Sequence, residues 1–140
     1  MRGKWKYLAA GGLLLLLWLG QGVWDYFDED SSAHVSMRYQ LQLFSASVYE
    51  FHEKKGRWPK QFDDLAETSL ALKSPYWRGN IPGTVIFWPK GMNPDPKQNS
   101  SILLSYYKGG LFSQFGRVWV CWGDLRTEFA PTEVLRKAGH

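Results

Sequence analysis

Residues 37–56 read MRYQLQLFSASVYEFHEKKG, and in them Met37, Leu41, Phe44, Val48 and Phe51 recur at alternating spacings of four and three. That spacing lines one stripe of an α-helix. Arg38, Gln42, Ser45, Ser47, Glu50, Glu53 and Lys54 fall largely outside the stripe and read as its solvated side. Lys54 and Lys55 occupy the last turn, where the helix dipole favours cations, and Gly56 suits a left-handed cap. Pro59 discourages the helix from resuming. Upstream, the acidic run Asp25–Ser32 (DYFDEDSS) supplies a linker or first turn, with Ser31 or Ser32 as N-cap. The outcome is a helix of about twenty residues whose apolar face must find a partner.

That partner lies downstream. Phe62–Leu72 reads as a short second helix with Asp63 and Asp64 in its first turn, and residues 73–83, rich in Pro and Gly, read as a loop. The period then changes. Thr84–Trp88 and Ile102–Tyr107 are runs of β-branched and aromatic residues, separated by the turn-rich Gly91–Ser101. Arg117–Trp122 is apolar on both faces and so predicts a central strand. Gly123 and Asp124 turn the chain into Leu125–Phe129, whose alternation predicts a half-buried strand, and Pro131–Ala138 predicts a closing helix. The class is α+β: an amphipathic helix packed on a three- to four-stranded antiparallel sheet.

Working outward the other way, Tyr7–Trp24 (YLAAGGLLLLLWLGQGVW) carries no charge. As a helix it spans roughly 27 Å, about the hydrocarbon thickness of a bilayer. Arg2, Lys4 and Lys6 precede it; Asp25, Asp28, Glu29 and Asp30 follow it. The positive flank marks the cytoplasmic side. The expected organisation is a cytoplasmic tail over 1–6, a single transmembrane helix over 7–24 and an exported domain over 25–140. Tyr7, Leu13, Leu17, Trp18, Gln21 and Trp24 are the anchor residues, with Tyr7 and Trp24 at the interfaces. The segment runs past the short apolar core of a cleaved export signal, so a retained anchor is the reading.

Composition excludes some classes. The pI of about 9.2 invites a nucleic-acid partner. Setting aside the three cations before the membrane stretch leaves 14 basic against all 13 acidic residues, so the exported part is nearly neutral. No basic patch suited to phosphate backbones remains, and no nucleic-acid partner is expected. Cys121, the one cysteine, lies between tryptophans in an apolar run and reads as a small buried hydrophobe. His52 has no second His or Cys one helical turn away, so zinc is not expected there. His34 and His140 sit near segment ends, where sequence alone assigns them no role. Asp63 and Asp64 resemble a carboxylate pair but suit a helix start.

The segment Leu43–Leu65 (LFSASVYEFHEKKGRWPKQFDDL) resembles the pseudopilins of bacterial type II secretion and type IV pilin-like proteins generally. Tyr49, Phe51, Gly56, Trp58, Pro59 and Leu65 occupy that family's Gly-aromatic-Pro phrase and its surroundings. Ser74–Asn80 (SPYWRGN) is similar to the loop that leads into the family's strands, and Val118–Leu135 looks like the ending of a related exported group. The resemblance covers about half the chain. It implies a pilin-like fold in which a membrane helix continues into an exported, periplasmic domain held at the inner membrane. It also implies association with itself or with other pilin-like membrane proteins. The chain departs from the pattern in having no acidic residue before Asp25, so the glutamate that guides filament assembly is missing. Calcium, held in a strand loop by some pseudopilins, finds only Asp95 and little other charge here.

No nucleophile elbow, P-loop, dinucleotide fingerprint or calcium-hand loop occurs, so neither an enzyme nor a cofactor is expected. Two functional readings follow. One is a single-pass, non-enzymatic structural or assembly protein with membrane lipid around its anchor. The other is a membrane-tethered binding module that recognises a glycan, peptide or protein through an aromatic loop, with Tyr76, Trp77 and Arg78 as contacts.

Overall fold

The computed structural model describes residues 11–21, 23, 32–73, 83–108 and 116–138. The chain divides into two compact units, Met1–Val35 and Ser36–His140. In the first, residues 11–21 and 23 are helical (α1). No helix among the described residues is long and apolar enough to cross a membrane. Tyr7 and Trp24 lie outside the described residues.

The amphipathic stretch is a helix, α2, Ser32–Lys55. Leu41, Phe44, Val48 and Phe51 are fully buried and Met37 is half-buried, as the stripe requires. Gly56 ends the helix at φ +69°, a left-handed conformation that costs glycine little, and its N–H donates to the His52 carbonyl at 2.8 Å. Lys54 pairs with Glu50 one turn back at 2.6 Å. The solvated face is narrower than the spacing predicts, because Ser45 and Ser47 are buried too. Each is small and each is satisfied. Ser47 donates to its own helix at the Leu43 carbonyl (2.8 Å), and Ser45 Oγ lies 2.9 Å from Cys121 Sγ.

After α2 come α3 (Phe62–Thr68), β1 (Thr84–Ile86), a 3-10 turn (Pro96–Asn99), β2 (Leu103–Tyr107), β3 (Arg117–Trp122), β4 (Thr127–Pro131) and α4 (Glu133–Lys137). The strands form one antiparallel sheet in the order β1-β2-β3-β4, so each strand pairs with its sequence neighbour and β3 is internal as expected. Several boundaries move, the closing helix among them, which is confined to Glu133–Lys137. Helix α3 stops at Thr68 rather than Leu72, where the Ser69 N–H caps onto Leu65. The first strand ends at Ile86 instead of Trp88. The last begins at Thr127 rather than Leu125, because Leu125 sits at φ +68° inside the turn. That turn is closed by Trp122 N–H to the Arg126 carbonyl (2.9 Å) and by Arg126 N–H to Asp124 Oδ1 (3.1 Å).

The sheet covers α2 as the sequence demands. Phe44, Val48 and Phe51 share one core with Phe62 and Leu65 of α3, Leu72, Met92 and Leu104, flanked by Ile86, Trp88 and Ile102. A bulge between Leu103 and Ser105 shifts the β2–β3 register and brings Leu104 and Ser105 to the α2 side. The opposite face is also apolar. Leu103, Val118, Val120 and Ala130 pack there with Tyr106 and Trp122, under Val134 and Leu135 of α4 and Ala138 just after it. The closing helix is therefore a lid on the second face of the sheet.

A buried polar junction ties three segments together. Asn99, 1% exposed, donates from Nδ2 to Tyr49 Oη and to the Asn93 carbonyl, each at 2.8 Å, and accepts from Asn93 N–H at 3.0 Å. Tyr49 in turn donates to the Gly123 carbonyl. A Cβ at position 123 would lie 2.7 Å from Asn99 Cβ and 2.8 Å from its carbonyl oxygen, so the close approach of the two turns requires glycine. Asn99→Leu matches the shape but leaves Asn93 N–H, the Asn93 carbonyl and the Tyr49 hydroxyl short of partners. With each orphaned group costing about 1–3 kcal/mol, the expected loss is about 3 kcal/mol in urea unfolding. A loss below 1 kcal/mol would show that water replaces the side chain.

Candidate functional site

The segment that leaves α2 is built around one carboxylate. Asp64, in the first turn of α3, takes both guanidinium nitrogens of Arg57 (Nη2 to Oδ1 3.1 Å, Nη1 to Oδ2 3.4 Å) and the backbone N–H of Lys60 at 2.8 Å. These bonds fold residues 57–64 into a closed turn. Arg57 also lies over the Phe51 ring, 4.8 Å from its centre. The Arg57 hydrogen bond, then the Lys60 N–H, hold the Asp64 carboxyl below its ordinary 3.8. A carboxyl depressed on folding contributes stability above its unfolded value, and that contribution disappears as pH falls through the folded value. Arg57 is half-exposed, so solvent weakens the pair. Asp64→Asn is expected to cost about 1 kcal/mol at pH 7. The variant and the parent should converge in acid below the folded value; a constant difference at all pH values would contradict the ionic origin.

The turn presents Trp58, whose ring stacks on His52 (centroids 3.9 Å, 24°) and meets Tyr49 edge-on at 5.5 Å. His52 is thereby a support for an indole, half-buried, with a structural task. Facing this turn is the segment that leaves β1. Trp88 meets Phe44 edge-on at 5.8 Å, which roots its indole in the core, and Pro89, Lys90 and Gly91 follow. Between the two segments lies a cleft of about 570 Å³ lined by Arg57, Trp58, Lys60, Trp88, Pro89, Lys90 and Gly91. Two half-buried indoles form its walls and three cations stand around it; among the described residues no carboxylate lines it.

The residues singled out by sequence are distributed differently. Tyr76, Trp77 and Arg78 lie outside the described residues. Leu13, Leu17, Trp18 and Gln21 are exposed on α1. Asp63 is exposed while Asp64 is buried in its ion pair, so the two do not act as a carboxylate pair. Cys121 is buried, and that burial pushes its thiol up to about 11 against the opposing pull of Ser45. It stays a protonated, inert thiol at neutral pH. Trp119 is core, between Arg38 at 5.7 Å and Phe129 at 5.5 Å. Trp122 is half-buried and donates its indole N–H to Glu128 at 2.7 Å. Asp95 caps the 3-10 turn by accepting from Lys97 N–H at 3.1 Å.

Sequence reasoning missed the cleft. Trp58 and Trp88 are thirty positions apart on different elements, and no spacing rule connects them. Their one shared signal is a Trp-Pro pair followed by a lysine, WPK, at 58–60 and again at 88–90. No family model matches the chain, and neither a curated protein nor a solved structure matches it.

Proposed function

We propose that the protein is a single-pass, membrane-anchored extracytoplasmic component with a structural or assembly task, resembling a pseudopilin and without enzymatic activity. The observation that supports this most is the apolar run of α1, where every side chain from Leu13 to Leu19 is between 49 and 73% exposed. Left in water, such side chains forgo roughly 1.5–3 kcal/mol each of transfer free energy. A bilayer removes that cost, and the cations before the run and the acids after it orient it with the N-terminus cytoplasmic. The layering of α2 on a four-stranded antiparallel sheet agrees with a pilin-like exported domain at the inner membrane.

The test is fractionation of cells carrying the full chain with a C-terminal tag. The anchor reading expects the protein in alkali-washed membranes at full mass, with the tag open to protease only from outside. A soluble product lacking the first two dozen or so residues would identify a cleaved signal instead. For assembly, the buried Cys121 leaves introduced cysteines as the accessible thiols, and a Cβ at Gly12 or Gly20 meets nothing within 4 Å. Gly12→Cys or Gly20→Cys should crosslink to a second copy or to another membrane protein. Monomers alone would contradict assembly through this helix.

A second reading is favoured by the aromatic cleft: a membrane-tethered binding module, in which the anchor is interchangeable and recognition belongs to the exported domain. The contacts expected at Tyr76, Trp77 and Arg78 belong to this reading, and Trp77→Ala would then abolish binding without unfolding.

A further inference from the structure

We infer that the cleft between the α2–α3 turn and the segment after β1 binds an acidic saccharide, with a sugar ring against Trp58 and Trp88 and a carboxylate held by Lys60 and Lys90. This goes beyond the anchor and assembly reading and does not depend on it.

Size comes first: about 570 Å³ falls within the range of small-ligand sites, and mostly apolar walls with a few polar groups are what such sites show. The walls are indoles whose positions are set from behind. Trp58 is backed by His52 and Tyr49, and Trp88 by Phe44, so neither ring must be ordered when a ligand arrives. A flat, apolar C–H face of a pyranose matches such a surface.

Charge then selects among ring ligands. Arg57 is already committed to Asp64. Lys60 and Lys90 are exposed, and neither forms an ion pair among the described residues. With Arg57, Asp64, Lys60 and Lys90 together, the region carries a net charge of about +2 at neutral pH. A ligand carboxylate supplies the missing anion.

An extended peptide is a poorer match, because main-chain pairing has little to work with. Pro89 has no N–H, the Lys60 N–H is taken by Asp64, and the Phe87 N–H donates to Leu104. A phosphatidylglycerol head group offers charge without a rigid ring for the indoles.

The experiment uses the full chain in non-ionic detergent micelles, titrated with trigalacturonate and followed by tryptophan fluorescence and calorimetry. Maltotriose, inorganic phosphate and phosphatidylglycerol nanodiscs serve as comparison ligands. Trigalacturonate should bind saturably and about tenfold more tightly than maltotriose, and added salt should weaken it. The double variant Lys60→Glu, Lys90→Glu should lose about tenfold in affinity with an unchanged circular dichroism spectrum. If that variant does not fold, Lys90→Gln alone should still weaken binding by about threefold. Absence of trigalacturonate binding, equal affinity for maltotriose, full competition by phosphate, or preference for phosphatidylglycerol would each overturn the assignment. So would an unaltered affinity in the folded charge variants. None of these outcomes bears on whether residues 7–24 anchor the chain, since the assay is performed on extracted protein.

Discussion

Leu14→Arg together with Leu17→Arg is expected to release the protein from membranes or block its export. The two positions lie three residues apart on α1 and are 68 and 62% exposed, so neither substitution disturbs a packed core in the described structure. Near the middle of a bilayer-spanning helix each arginine costs about 2.5–3.5 kcal/mol in addition to the lost leucine contribution of about 0.5 kcal/mol. The pair therefore shifts insertion by about 6–8 kcal/mol. The measurement is the fraction of tagged protein that survives alkaline washing of membranes. Full retention of the double variant would mean that α1 is not held in lipid, and that its exposed leucines pack against protein.

The second large effect belongs to the core. Phe44→Ala removes a fully buried ring at the meeting point of α2 and the sheet, where it contacts Trp88 edge-on. Phe-to-Ala truncations in cores cost about 3–5 kcal/mol. A small domain holds about 5–15 kcal/mol in total, so the variant should unfold at a much lower urea concentration and lie close to its stability limit. Tyr39→Ala, on the same helix but 61% exposed, is the control and should change stability by less than about 0.5 kcal/mol. Similar losses for the two would contradict the placement of the helix stripe against the sheet. Because Phe44 backs Trp88, the cleft should lose its wall together with the core.

The stripe Met37, Leu41, Phe44, Val48, Phe51 was legible because helical geometry maps spacing directly onto a face, and burial of that face follows from the hydrophobic effect. The same is true of Gly56 as a cap and of β3 as an internal strand, each a local rule read from a few neighbours. Ser45 and Ser47 show where such rules end. Their polarity predicts the solvated side, yet Cys121 and the Leu43 carbonyl give them partners inside. Leu125 reads as strand by alternation, but closure of the β3–β4 turn places it at positive φ.

The candidate site was less legible than the fold. Asp64 looked like one of a pair of helix-start acids; its bond to Arg57 depends on how tightly the chain reverses after Gly56. The cleft requires Trp58 and Trp88 to line one space, and that depends on β1 lying at the edge of the sheet.

By itself, then, the sequence determined the elements, their order, the buried stripe of α2 and the apolar, asymmetrically flanked run near the start. Those properties are carried by residues within a few positions of each other, where periodicity, capping and charge act locally. Only the tertiary structure decided the junction of Tyr49, Asn99 and Gly123, the second apolar face beneath α4, and the meeting of two indoles and three cations around one cleft. These join segments distant in sequence: Tyr49 lies fifty positions from Asn99, and Trp58 thirty from Trp88. Their energy comes from apolar burial and hydrogen bonding between surfaces that become neighbours once the chain has folded.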